Sequence, residues 1–201
     1  DKTAPTVSSF KLESNNSAIE VTFSEAVFSK SDGSGALETT DFVLTLQGGA
    51  ATLSSATPSS ISTSGNVYIL GIGLSGTPDG VEVLTVTLVD SAIYDAAGNI
   101  ASVTQNNNST TLFDQKAPII TSVSPSSDNS SIIVIFSEAV FSKSDGSGDL
   151  DTTDFVFSIA GGNTTLANTN PTSISSSDST YTLGLSLSGI PNGSEVVTVA
   201  L

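Results

Sequence analysis

Residues 24–42 read S-E-A-V-F-S-K-S-D-G-S-G-A-L-E-T-T-D-F, and residues 137–155 read S-E-A-V-F-S-K-S-D-G-S-G-D-L-D-T-T-D-F. Seventeen of the nineteen positions match, and the two exceptions are Ala36/Asp149 and Glu38/Asp151. The offset is 113 residues. It extends outward without a gap, aligning 1–88 with 114–201, and 50 of these 88 pairs are identical. Self-similarity at one fixed period marks a chain built from repeated structural units. A period of this length matches one ordinary domain, so the reading is two domains, 1–113 and 114–201.

Outward from the repeated stretch, the pattern is that of strands. Ile19, Val21 and Phe23 alternate with Glu20 and Thr22, which is the period of a half-buried strand. Phe42, Leu44 and Leu46 share one face of the next. Tyr68, Leu70, Ile72 and Leu74 mark another, followed by Leu84, Val86 and Leu88. Ser14-Asn15-Asn16-Ser17, Gly48-Gly49, Thr77-Pro78-Asp79-Gly80 and Asp95-Ala96-Ala97-Gly98-Asn99 are turn signals between them. A last strand is expected over roughly 100–113, interrupted near Asn106-Asn107-Asn108, and a brief helical turn at 36–41. Seven or eight short strands per copy, with turns between and no convincing helix, predict an all-β fold. The architecture expected is two tandem immunoglobulin-like β-sandwiches.

The second copy ends at Leu201, the counterpart of Leu88, so nothing in it corresponds to 89–113. It is expected to lack its final strand and to expose an unpaired edge. Three outcomes are open: a frayed edge, continuation of the chain, or a strand exchanged with another chain.

Composition narrows the function. Twenty acids face five basic residues, giving a net charge of −15, with no histidine, cysteine, methionine or tryptophan. This argues against nucleic-acid partners and against docking on an anionic membrane. No run is apolar enough to predict membrane insertion. Without Cys or His there is no zinc site of the usual kind, no thiol nucleophile and no Ser-His-Asp triad. Paired carboxylates raise a glycosidase reading, but a chain without tryptophan and with three tyrosines offers little floor for a sugar to stack on. The reading is therefore not an enzyme. The six N-x-Ser/Thr sequons, at Asn15, Asn107, Asn108, Asn129, Asn163 and Asn192, matter only in a eukaryotic secretory setting.

Several motifs recur one period apart. D-K-T-A-P at 1–5 returns as D-Q-K-A-P at 114–118, and F-S-E-A-V at 23–27 returns at 136–140. T-D-F closes the long loop, and D-A-A-G-N at 95–99 precedes the last strand. Together these resemble the bacterial immunoglobulin-like (Big-type) tandem repeats of large surface proteins and adhesins. The resemblance implies an extracellular or cell-surface extender whose partners are neighbouring immunoglobulin-like repeats of the same protein, many of them stiffened by calcium.

Following the strands up and down places the ends of several acidic loops at one pole of each copy. Seven of the eleven acids of the first copy collect there: Asp1, Glu25, Asp32, Glu38, Asp41, Asp90 and Asp95. Such a cluster stays ionised cheaply only when solvated or bound to a cation. Oxygen ligands without His or Cys favour calcium. The candidate ligands are Asp1, Glu25, Asp32, Asp41 and Asp95, with Asp114, Glu138, Asp145 and Asp154 at the second pole. That second site is expected to be poorer, because Asp95 has no counterpart in it. The competing reading is a solvated acidic end, with Asp95 and Asp41 bonded to their own turns. For function, the alternatives to a spacer are a carbohydrate- or protein-binding module of a secreted protein and a subunit of an extracellular filament.

Overall fold

The computed structural model describes residues 1–201. The chain is all-β, with strands joined by turns and only two single-turn 3-10 segments, Thr39–Asp41 and Thr152–Asp154. It divides into two compact units, Asp1–Lys116 and Ala117–Leu201. No helix is long and apolar enough to cross a membrane.

In the first unit the strands are β1 (Val7–Leu12), β2 (Ala18–Phe23), β3 (Phe42–Gln47), β4 (Thr52–Leu53), β5 (Ile61–Ser64), β6 (Val67–Gly71), β7 (Leu74–Ser75), β8 (Val83–Leu88) and β9 (Ser109–Thr111). They form an antiparallel sheet β1-β2-β6-β5, a second sheet β3-β8-β9 and a short β4-β7 pair. Alternation in the sequence becomes alternation in space. Ile19, Val21, Phe23, Tyr68 and Leu70 from the first sheet meet Phe42, Leu44, Leu84, Val86 and Leu88 from the second, all of them buried. Phe23 meets Tyr68 edge-on at 5.6 Å between ring centres, and Phe42 lies 6.5 Å from the same ring. This is the interleaved core of a two-sheet sandwich.

The second unit repeats the plan with β10 (Ile120–Pro125), β11 (Ser131–Phe136), β12 (Val156–Ala160), β13 (Thr165–Leu166), β14 (Ile174–Ser177), β15 (Thr180–Gly184), β16 (Leu187–Ser188) and β17 (Val196–Ala200). Its sheets are β10-β11-β15-β14, β12-β17 and β13-β16. Phe136, Phe155 and Tyr181 rebuild the aromatic cluster. Even the irregularities recur. The register of β1 on β2 slips between Val7 and Ser9, and that of β10 on β11 between Ile120 and Ser122. The extra residue, Ser8 or Thr121, donates its hydroxyl to a carbonyl of the partner strand, Thr22 or Ile135. One strand has no equivalent: nothing lies beside β17 where β9 lies beside β8.

That last strand is shorter than the pattern predicts. Only Ser109–Thr111 pairs with β8. Ile100 forms a lone bridge with Tyr94. Ile100, Val103 and Phe113 stay exposed, and the core is covered instead by Ile93, Ala101 and Leu112. The reason is the amide side chains along the way. Gln105 Oε1 accepts from Val7 N at 3.2 Å, Asn107 Nδ2 reaches Ser8 O at 3.3 Å, and Asn108 Nδ2 donates to Val86 O at 3.0 Å. These side chains take up backbone groups that a longer ladder would otherwise use.

A buried carboxylate locks the far turns. Glu82 is fully buried. Its Oε1 accepts from Ala50 N at 3.0 Å and Ala51 N at 2.9 Å, and its Oε2 from Asp79 N at 3.1 Å. Burial works to raise its pKa, but the surrounding backbone amides outweigh it and hold the carboxyl below the usual glutamate range. Gly49 has φ +60°, and a Cβ there would overlap the Glu82 carboxylate. Glu195 and Gly162 repeat the pairing. Glu195 is only half-buried. Burial opposes ionisation there too, yet the amides bring its pKa down to about 2.

Glu82→Ala is expected to destabilise the first unit by about 3 kcal/mol or more, since three amides lose their acceptor in a dry site. Urea unfolding measures this, and the same change at Glu195, which water can reach, should cost less. Both glutamates have depressed pKa values. Their stabilisation is therefore complete above the ordinary glutamate value of 4.5 and is lost as pH falls from there through the folded-state values, about 2 for Glu195. An unfolding midpoint that stays flat with pH over that window in the wild type, or that still falls equally in the double Gln variant, would contradict the assignment.

Candidate functional site

Three carboxylates from distant parts of the chain converge in the first unit. Asp1 stands before β1, Glu25 just after β2, and Asp95 in the turn that follows the Tyr94 bridge. Their ligand oxygens lie within 4.8 Å of one another. Asp1 is exposed, Glu25 half-buried and Asp95 buried.

Each is placed by local bonding. The N-terminal segment is pinned beside the end of β2, where Ser24 N donates to Thr6 O at 2.8 Å and Thr6 N donates to Ser24 Oγ at 3.0 Å. Pro5 is buried there. Asp1 Oδ1 accepts from Thr3 N at 2.8 Å. Tyr94 exchanges both backbone hydrogen bonds with Phe28, at 2.7 and 2.8 Å, so the turn after it is anchored to the long loop. Within the turn, Asp95 Oδ1 accepts from Ala97 N at 2.9 Å and Asn99 N at 2.7 Å, and Oδ2 accepts from Asn99 Nδ2 at 2.7 Å. The Asn99 side chain also reaches Thr3 O at 3.4 Å, linking the turn to the N-terminal segment. The Asn99 amide, followed by the backbone N–H groups, holds the Asp95 carboxyl below the usual aspartate range. Gly98, at φ +82°, packs so closely that a Cβ would sit 2.7 Å from Ser31 O of the long loop.

The other candidate ligands serve their own turns. Asp32 accepts from Ser34 N at 3.0 Å and from its hydroxyl, and the hydroxyl bond leads in lowering its pKa. Asp41 accepts from Glu38 N at 2.8 Å in a capping box around the 3-10 turn, and burial pushes its carboxyl up. In the second copy Asp145 accepts from Ser147 N, Asp154 from Asp151 N and Asp114 from Lys116 N. Glu138 is half-buried in the position equivalent to Glu25. The trio Asp1, Glu25 and Asp95 is the one group of three acids brought this close.

Chemically, the trio offers hard oxygen donors and no nitrogen or sulfur. That donor set fits a divalent cation taking six to eight oxygens, the rest from carbonyls and water. Glu82 and Glu195 escaped the sequence reading. Their signal was present: a Gly-Gly pair and a glutamate at the same spacing in both copies. A glutamate just before a strand reads as surface, and only the fold shows the amides that surround it.

No protein-family model matches the chain, and no curated protein matches it. Among solved structures, the chain is similar to the N-terminal part of the bacterial S-layer protein SbsC, with a TM-score of 0.41 and 16% identity. The match covers 97% of this chain and 43% of that one, so this chain spans less than half its length. A likeness this loose bears on neither fold nor function.

Asp95 does two things at once, holding its turn and facing the other two acids. Asp95→Ala is expected to lower the melting temperature by roughly 5 °C or more even in excess chelator, since two backbone amides and the Asn99 side chain lose their acceptor. Asp32→Ala, on an exposed turn, is expected to shift it by less than about 2 °C. Thermal circular dichroism of the two variants separates the cases.

Proposed function

We propose that this chain is a structural extender of an extracellular or cell-surface protein, built of immunoglobulin-like repeats of the Big type and binding calcium in its first unit. The observation that carries the reading is the gapless internal repeat, 50 identical pairs in 88, with each copy folded on its own core. A chain that copies one sandwich in tandem, cores, bulges and locked turns together, is suited to setting length. It does not concentrate chemistry in one place, and the reading assigns it no catalysis.

Calcium would be held by Asp1, Glu25 and Asp95. Bound there, the ion supplies positive charge that offsets the repulsion among three carboxylates. The residues themselves define what is tied: the N-terminal segment, the end of β2 and the turn at 95–99. A cation shared by these three separate pieces would restrain the segment by which one repeat joins its neighbour. The Asp95 turn is already formed by its own hydrogen bonds, so the site needs little reorganisation to bind.

Calorimetric titration with calcium is expected to show one site in the first unit. The melting temperature should rise with calcium and fall with chelator, because a ligand bound only by the native state stabilises by mass action, by about 2.7 kcal/mol at a hundredfold excess over Kd. Glu25→Gln should remove the heat and the shift while leaving the chelated protein at least as stable as before, since one of three repelling charges is gone. Absence of both binding heat and a chelator effect would end the calcium reading. A glycan-array signal from the chain would argue for a binding module over an extender.

A further inference from the structure

One asparagine of the chain is followed by glycine: Asn192-Gly193, in the turn before β17. Three hydrogen bonds fix the pair. Asn192 Oδ1 accepts from Ser194 N at 3.0 Å. The Asn192 and Gly193 N–H groups both donate to Glu195 Oε2, at 3.0 and 3.1 Å, while Oε1 accepts from Asn163 N at 3.1 Å. Gly193 has φ +85° and no Cβ to crowd its nitrogen. The first unit has Asp79-Gly80 at this place, and Asp79 N donates to Glu82 Oε2 at 3.1 Å. Asp79 and Gly80 are half-buried although β9 is paired in that unit, so water reaches this turn even with a closing strand in place.

An asparagine before glycine can close on itself. The Gly193 nitrogen, giving its proton to base in the solvent, attacks Asn192 Cγ. A C–N bond forms, the Cγ–Nδ2 bond breaks and ammonia leaves. Water then opens the resulting ring at either of its two carbonyls, to aspartate or to isoaspartate. The sum is asparagine plus water to acid plus ammonia. Two contacts of the turn act on this reaction in opposite senses. Ser194 N–H, donating to Asn192 Oδ1, favours the negative charge that this oxygen gains on attack. Glu195 opposes the attack. The Gly193 N–H points at Oε2, so the lone pair that deprotonation frees points there too, and not at Cγ. The amide anion would also face a carboxylate already ionised, since the surrounding amides bring the Glu195 pKa down to about 2.

We propose that Asn192 is a site of spontaneous modification, converted through a succinimide with Gly193 to an acid, and that Glu195 is its brake. Ring closure waits for the Gly193 N–H to leave the carboxylate. The two products treat the turn differently. Aspartate is the residue that the first unit carries there, and it leaves both N–H groups on Glu195. Isoaspartate adds a carbon to the backbone and moves Gly193 N off the carboxylate, which loosens the fastener at the start of β17. The second unit thereby records its age at a position where the first is an acid from the outset. The proposal stands apart from the extender and calcium readings and uses none of their residues.

The test is incubation of residues 1–201 in mildly alkaline buffer, with peptide mapping by mass spectrometry to follow each asparagine and to separate aspartate from isoaspartate. Asn192 is expected to convert, with both products formed. In a blocked peptide of residues 189–197, where no fold holds Glu195 against the turn, conversion should be at least about tenfold faster, the factor that one hydrogen bond to a charged group is worth. Glu195→Ala in the whole chain should accelerate Asn192 by a similar factor while Asn107 and Asn108 keep their rates, which reports an intact fold. Glu195→Gln keeps an acceptor oxygen but no charge, and it decides the case if the alanine variant frees every asparagine at once. It too should speed conversion at Asn192 alone. Asn192→Asp should leave the urea midpoint close to that of the unmodified chain. Conversion no faster in the peptide than in the chain would overturn the proposal. So would an unchanged or slower rate in Glu195→Gln, the slower rate by making the carboxylate a base and not a brake.

Discussion

The side-chain amide of Asn16 gives one hydrogen bond to Phe113 and takes one back. That pair, across almost the whole length of the first repeat, ties down the segment on which the rest of the unit depends. A two-sheet sandwich needs its inner strands paired and its inner apolar faces covered. In the first unit residues 89–113 do both. Ile93, Ala101 and Leu112 enter the core, β9 pairs with β8, and Gln105, Asn107 and Asn108 stitch the crossing between the sheets through side-chain amides. The same segment carries Asp95 to Asp1 and Glu25. Closure of the core and assembly of the carboxylate trio are therefore one event in this fold.

The acids show how one residue type is given different work by its neighbours. The chain carries twenty of them against five lysines. Glu82 is taken out of water and held ionised by backbone amides, so it acts as an internal fastener between turns. Asp32, Asp145 and Asp154 bond the backbone of their own loops and have no second acid drawn as close as the Asp1, Glu25 and Asp95 trio. Asp95 does the same, yet the turn it holds lies against the N-terminal segment and the end of β2, which leaves it facing two further carboxylates. What separates a turn residue from a candidate ligand is the contact its loop makes, not the loop sequence.

Much of the fold was legible in the residues because its signals are periodic. The alternation of Ile19, Val21 and Phe23, of Phe42 and Leu44, and of Leu84, Val86 and Leu88 names strands and faces together, and the internal repeat states each twice. The short helical turn expected at 36–41 is present at Thr39–Asp41. The closing segment was less legible, since its path is set by Gln105, Asn107 and Asn108 reaching backbone groups of β1 and β8. Such long-range bonds leave no period to read. The same limit applied to the acids. Loop composition gathers nine candidate ligands, but the short-range hydrogen bonds that occupy Asp32, Asp41, Asp145 and Asp154, and the long-range contact that frees Asp95 to converge, appear only in three dimensions. Glu82 and Glu195 were hidden for the same reason.

The central claim is that residues 89–113 close the first unit along β8, an edge that residues 117–201 by themselves leave unpaired along β17. Hydrogen exchange of equivalent amides within one molecule tests it most directly. Val86 N is bonded to Asn108 O, while the amide of its counterpart Val199 lies toward the unpaired edge of β17. In residues 1–201, at one pH and temperature, Val86 should exchange at least about a hundredfold more slowly than Val199, while Leu70 and Leu183, central in both units, are both protected. Equal protection of Val86 and Val199 would contradict the account.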